Sequence, residues 1–174
     1  MLRTDSPDGY ASVSLVDISY LGVGPEPVGD RRLLNAPLLP FDGMNERGLA
    51  VGLAADDRAT ARPVPGRPTV GSVRIFVDGT MRAQRGRGSW QALTNVPVVG
   101  VPERQLRQDH RYGVIAAALD RADGVVDAPA ALAVLDAARQ PHTRWSVTYV
   151  LRTGEVRLVT ATGGRERRYR LTVS

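Results

Sequence analysis

Two consecutive helix-patterned stretches, 107–121 and 128–140, lie between flanks patterned as antiparallel β-structure, and this order constrains the fold more than any other feature. A parallel sheet needs a crossover, usually a helix, between successive strands. Here the helices come as one block, so the chain reads as α+β, with helices covering sheets rather than alternating with strands. In the first stretch Tyr112, Ile115, Ala116 and Leu119 fall at helical spacing, with Asp109 or nearby Gln108 at the start. The second, "APAALAVLDAARQ", opens with Asp127 as N-cap and Pro129 in its first turn.

The β flanks are carried by alternation and turn chemistry. "YASVSLVDISYLGVG" (10–24) predicts a strand with Val13, Leu15, Ile18 and Tyr20 as its apolar members. "PEPVGDRR" (25–32) reads as a loop, and "LLNAPLLPF" (33–41) leads into a hairpin at "FDGMNERGLAVGLA" (41–54). There Asn45 and Gly48 suit positive φ, while Leu49, Val51 and Leu53 alternate with Ala50, Gly52 and Ala54. So little bulk on one face suits a strand that another backbone or a ligand approaches closely. "ATARPVPGRPTVG" (59–71) is a Pro-rich connection, and "VRIFVDGTMRAQRG" (73–86) predicts a second hairpin around Asp78-Gly79. "SWQALTNVPVV" (89–99) reads as a short strand ending in polar Thr94 and Asn95, then a Pro-containing loop. After the helices, "TRWSVTYVLR", "EVRLVTAT" and "RYRLTVS" form a meander through turns at Thr153-Gly154 and Gly163-Gly164.

The chain of 174 residues, 43% of them hydrophobic, suits one domain, 1–174, with its own core. Mean hydropathy is −0.18 and no apolar run approaches 18 residues, which argues against a membrane span. The opening "MLRTDSPDGY" lacks a signal-peptide pattern, so a bacterial cytoplasm is the default expectation. Cysteine is absent, which removes disulfides, thiolate zinc sites and any cysteine nucleophile within these residues. Net charge is +5, yet all 23 basic residues are arginines and they are scattered. Only "RERRYR" (165–170) is dense, and a charged edge strand accounts for it. "RGRG" (85–88) is a single copy, so nucleic acid is not an expected partner. Two histidines, His110 and His142, are too few for a metal site, and no cofactor is implied.

Three separated stretches, "FDGMNERGLAV" (41–51), "WQALTN" (90–95) and "TRWSVTYVLRTGEVRL" (143–158), resemble the linear amide C–N hydrolases. That family includes choloylglycine (bile salt) hydrolases, penicillin V acylases and the isopenicillin N acyltransferase type. "YASVSLVDISYLG" (10–22) and "HRY" (110–112) add to the likeness, in the right order through most of the chain. The resemblance implies an N-terminal nucleophile fold, an αββα sandwich, here incomplete. It implies hydrolysis or transfer of acyl groups at small non-peptide amides by an N-terminal cysteine. The cysteine's own α-amine, with a pKa of about 7.7–8.0, serves as base. An asparagine and backbone N–H groups hold the oxyanion, each donor contributing about 2.7–4 kcal/mol in acyl transfer generally.

Carried over residue by residue, the oxyanion asparagine falls at Asn95 and the helix-opening arginine at Arg111. A second family asparagine falls at Ala55, and the nucleophile has no counterpart. A family helix and strand have no counterpart after "VGSVR" (70–74), so the resemblance implies a shortened relative that is inactive as written. The alternative is a non-catalytic binding protein that keeps the cleft for a small acyl-amide ligand. Lost strands would expose sheet edges and allow a homo-oligomer. Asn95, before Val-Pro, equally suits a residue bonding its own turn, and Arg111 an ordinary helix-face arginine. Asp42, Asn45 and Gly48 read as residues that shape the hairpin, and Trp90 and Trp145 as core or sheet-face residues. Ser89, His110 and Asp109 could be grouped as a triad, but neighbouring Asp and His on one helix cannot orient each other.

Overall fold

A computed structural model describes residues 1–5, 7–24, 29–53, 72–75, 81–84, 88–96, 98 and 100–172, with the backbone alone for 72–75 and 81–84. In chain order the elements are β1 (Leu2–Thr4), β2 (Ser12–Leu15), 3-10 helices Ile18–Leu21 and Arg31–Leu38, β3 (Asp42–Asn45) and β4 (Ala50–Gly52). Then come β5 (Ser72–Ile75), β6 (Met81–Gln84), α1 (Glu103–Leu106), α2 (His110–Arg121), α3 (Ala128–Ala137), β7 (Trp145–Val150), β8 (Glu155–Thr160) and β9 (Arg167–Arg170). Helix and strand are mixed and every strand pairing among the described residues is antiparallel, as the α+β reading expects. The chain divides into two compact units, Met1–Leu53 with Arg144–Ser174, and Ala54–Thr143.

The first unit contains two sheets, ordered β1-β2-β3-β4 and β7-β8-β9. Strand period two explains how they pack. Val13 faces Met44, and Met44 faces Ala50, so these three share one face of the first sheet. On the second sheet Val147 pairs with Leu158 and Tyr149 with Val156. Ala11, Val13, Met44, Val156 and Leu171 form one buried cluster, with Ala50, Val147, Tyr149 and Tyr169 against it. Side chains from both sheets thus close a single apolar core. Glu155 and Arg157 lie on the opposite face of β8, where Arg157 pairs with Glu155 and Glu166, and Glu166 with Arg168. β9 is the charged edge strand that "RERRYR" predicts.

The first hairpin has its turn at Asn45–Gly48. Gly48 adopts φ 73°, and a Cβ there would lie 3.1 Å from the Leu151 carbonyl oxygen. Asn45 stays extended at the end of β3, and its Oδ1 accepts from the N–H groups of Arg47 and Leu49, which is the shaping role expected of it. The bulk of β4 is turned the other way from the core. Ala50 packs inward, whereas Leu49, Val51 and Leu53 are exposed.

Several sequence expectations need correction. The strand expected over 10–24 ends at Leu15, because Asp17 caps a 3-10 helix through Ser19 N–H and Gly22 closes it at φ 69°. Segment 33–41 is no plain lead-in, since Asp30 caps a second 3-10 helix through Arg32 N–H. Arg32 also clasps the Asp30 carboxylate and donates to the Gly22 carbonyl, tying the two helices together. β1 was hidden in a polar N-terminus and is held by its ladder to β2.

In the second unit, β5 and β6 pair as the hairpin expected over 73–86, with Ile75 opposite Met81. The turn itself and the Pro-rich segment 59–71 lie outside the described residues. No strand forms among the described residues of 89–99. Its side chains serve instead as packing: Ala92 and Val98 are buried with Leu106, Tyr112 and Ala116, and Trp90 and Val96 lie against them. The helix expected from residue 107 begins at His110, behind the separate single turn of α1. Asp127 caps α3, as the sequence reading places it, and of the two candidates at the start of α2 it is Asp109 that caps.

Candidate ligand-binding site

Asn95 and Arg111 meet. Arg111 Nη1 donates to Asn95 Oδ1 at 2.5 Å across sixteen residues of chain. Arg111 Nε donates to the carbonyl of Ala138, the C-cap of α3, at 3.1 Å. A guanidinium is well placed there, because the last carbonyls of a helix carry partial negative charge. Arg111 therefore spans from α2 to the end of α3 and presents its planar fork beside Asn95. Asn95 is exposed and Arg111 half-buried, so the pair is open to solvent on one side.

The support beneath this pair is polar and buried. Thr94 is 5% exposed, and its hydroxyl donates to Asp109 Oδ1 at 3.4 Å. The same Oδ1 accepts from Tyr112 N–H at 2.8 Å. Asp109 thus fixes both the start of α2, which carries Arg111, and the residue before Asn95. Behind it the Tyr112 hydroxyl donates to Glu103, and Arg107 pairs with Glu103 and Asp120. Burial and the Glu103 carboxylate push the Tyr112 phenol up to about 12. Asp109→Ala removes the cap and is expected to lower stability by about 0.5–2 kcal/mol, read by urea denaturation. Asp109→Asn keeps an acceptor oxygen and is expected to recover most of that loss.

Chemically, a guanidinium and a carboxamide side by side recognise carbonyl or carboxylate oxygens. Arg supplies fixed N–H directions suited to a planar acceptor, and Asn can both donate and accept.

The triad grouping is not assembled. A Cβ on Gly124 would lie 2.5 Å from Ser89 Oγ, which places Ser89 against the loop after α2. His110 and Asp109 sit at the opposite end of that twelve-residue helix, which spans roughly 18 Å. Asp109 is occupied as a cap. Among the described residues no group of three or more His, Asp or Glu could hold a metal ion. Ala55 lies outside the described residues.

A second constellation, in the first unit, escaped the reading of the sequence. Asp42 Oδ2 accepts from Trp145 Nε1 at 2.9 Å, and Asp42 Oδ1 accepts from the Tyr149 hydroxyl. The carboxylate stands on β3 and both donors on β7, so the contact bridges the two sheets. Burial raises the Asp42 pKa above its ordinary value against the opposing effect of the two hydrogen bonds. Burial and the bond to Asp42 likewise push the Tyr149 phenol far up. Phe41 packs edge-on to Trp145 at 6.2 Å between ring centroids, and Tyr20 lies 4.9 Å from Phe41. One signal was available: period two puts Asp42 on the same strand face as Met44, a carboxylate directed toward a core.

No protein-family model matches the chain, and comparison with curated proteins and with solved structures also gives no match. No helix among the described residues is long and apolar enough to cross a membrane.

Proposed function

We propose that this chain is a binding relative of the linear amide C–N hydrolases, taking a small acyl-amide ligand at Asn95 and Arg111. The observation that carries the reading is the hydrogen bond between these two residues, which the resemblance singles out from separate stretches of sequence. The two packed antiparallel sheets of the first unit add support, since the implied fold is a sandwich built on two such layers.

In this reading the ligand's acyl or carboxylate oxygen accepts from the Arg111 guanidinium and the Asn95 carboxamide. No cysteine occurs among the 174 residues, so no thiolate is available in them to attack the amide carbon. The expected behaviour is binding without turnover, in a bacterial cytoplasm.

Thermal shift and hydrolysis assays with N-acylated amino acids and penicillin V test this. Stabilisation without product release is expected, with Arg111→Met and Asn95→Ala each weakening binding about tenfold or more, the range for charged or paired hydrogen bonds. Product release by the chain of 174 residues would overturn the non-catalytic assignment. No stabilisation by any of these ligands would sink the binding reading.

A further inference from the structure

Asp42 stands apart among the described carboxylates. The chain carries 23 arginines, and Asp30, Glu103, Asp120, Glu155 and Glu166 are in ion pairs with them, whereas Asp17, Asp109 and Asp127 are engaged as helix caps. Asp42 has no ion pair among the described residues; its two polar partners, Trp145 and Tyr149, are neutral. A carboxylate taken partly out of water without a cation beside it is expensive, and its raised pKa reflects that cost. Leu15 stands opposite it across the β2–β3 ladder, and aromatic side chains contact it from β7. Trp145 and Tyr149 donate to it, Phe41 packs edge-on to Trp145, and Tyr20, 70% exposed, extends the row to the surface.

We propose that Asp42, Trp145, Phe41 and Tyr20 form a binding site for a small methylated organic ammonium ion. Aromatic faces attract such a cation through their quadrupoles, and a nearby carboxylate adds direct charge attraction. Both Asp42 oxygens already accept a hydrogen bond, so the missing partner is positive charge rather than another donor. A quaternary or tertiary ammonium offers charge with little demand for acceptors. Its methyl groups suit the partly exposed aromatic row better than water does. The site lies wholly within the first unit and uses neither Asn95 nor Arg111, so it stands or falls independently of the acyl-amide reading.

The test is a matched pair of ligands followed by the indole N–H signals in NMR at constant ionic strength. Choline is the cationic probe, and 3,3-dimethylbutan-1-ol has the same shape with carbon in place of nitrogen. The Trp145 signal, assigned by loss in Trp145→Phe, is expected to move saturably with choline. The neutral alcohol should bind about tenfold more weakly or worse, the factor that cation–aromatic and charge attraction would supply. Asp42→Asn can keep both side-chain contacts, with Oδ1 accepting from Trp145 and Nδ2 donating to the Tyr149 oxygen. That variant should stay folded, show a dispersed Trp145 signal, and lose choline binding by a similar factor. Equal binding of the alcohol, undiminished binding by Asp42→Asn, or no saturable shift with choline up to tens of millimolar, on the order of 3 kcal/mol or less of affinity, would each overturn the site.

Discussion

Asp42→Ala is expected to lose about 2–4 kcal/mol of stability, because it strands two half-buried donors rather than deleting one contact. Trp145 Nε1 and the Tyr149 hydroxyl both give their hydrogen to this carboxylate from the facing sheet. Without it neither has an acceptor in the described structure, and each orphaned donor costs about 1–3 kcal/mol. Asp42→Asn should remain within about 1 kcal/mol of wild type, since an amide can satisfy both partners with no charge to bury. Chemical denaturation of the three proteins distinguishes the cases. Equal loss in Asn and Ala would mean that charge, not hydrogen bonding, holds the sheets here. The pH dependence has a definite sign. The folded pKa of Asp42 is raised from 3.8, so the folded state binds its proton more readily than the unfolded chain does. The stabilisation that comes with this proton is complete below the unfolded value and is lost as pH rises through the raised folded value. Relative to Asp42→Asn, wild type should therefore gain stability on acidification across that window. Relative loss over the same window would contradict the assignment.

Met44→Ala is expected to cost about 2–5 kcal/mol, the range for emptying a large side chain from a packed core. Met44 is 2% exposed and lies in the cluster where both sheets of the first unit meet. Val51→Thr on the neighbouring strand should change stability by less than about 0.5 kcal/mol, because Val51 is exposed. The contrast is informative because both residues are apolar members of one hairpin. A core placed on the Leu49, Val51 and Leu53 face would reverse the order of the two losses. Denaturation midpoints of the two variants, measured side by side, decide it.

The Met44 and Val51 pair also marks how far sequence reasoning reaches. Alternation alone places Leu49, Val51 and Leu53 on one face of the hairpin and Asp42 and Met44 on the other. It does not say which face meets the second sheet. Bulk favours the leucine face; the structure buries the face holding Met44 and Ala50, where Val13, Val156 and Leu171 supply the facing surface. The sequence places Asp42 only within its own hairpin, because its partners lie more than a hundred positions away. Asn95 and Arg111 were singled out through a resemblance, yet their contact depends on how α2, α3 and segment 88–96 pack together. Residues 89–95 read as a short strand, but the segment packs Ala92, with Val98 of the following loop, against helices and pairs with no strand among the described residues.

What the sequence by itself determined is local: the cap Asp127, the turns at Gly48 and Gly154, the meander of β7 to β9, and the α+β order. These depend on interactions within a few residues, where backbone geometry and side-chain hydrogen bonding allow few outcomes. The tertiary structure alone decided which strand faces are buried, that Asp42 bridges two sheets, and that Arg111 joins Asn95 to the end of α3. Those outcomes depend on which distant surfaces meet, and burial rewards any apolar surface without specifying its partner.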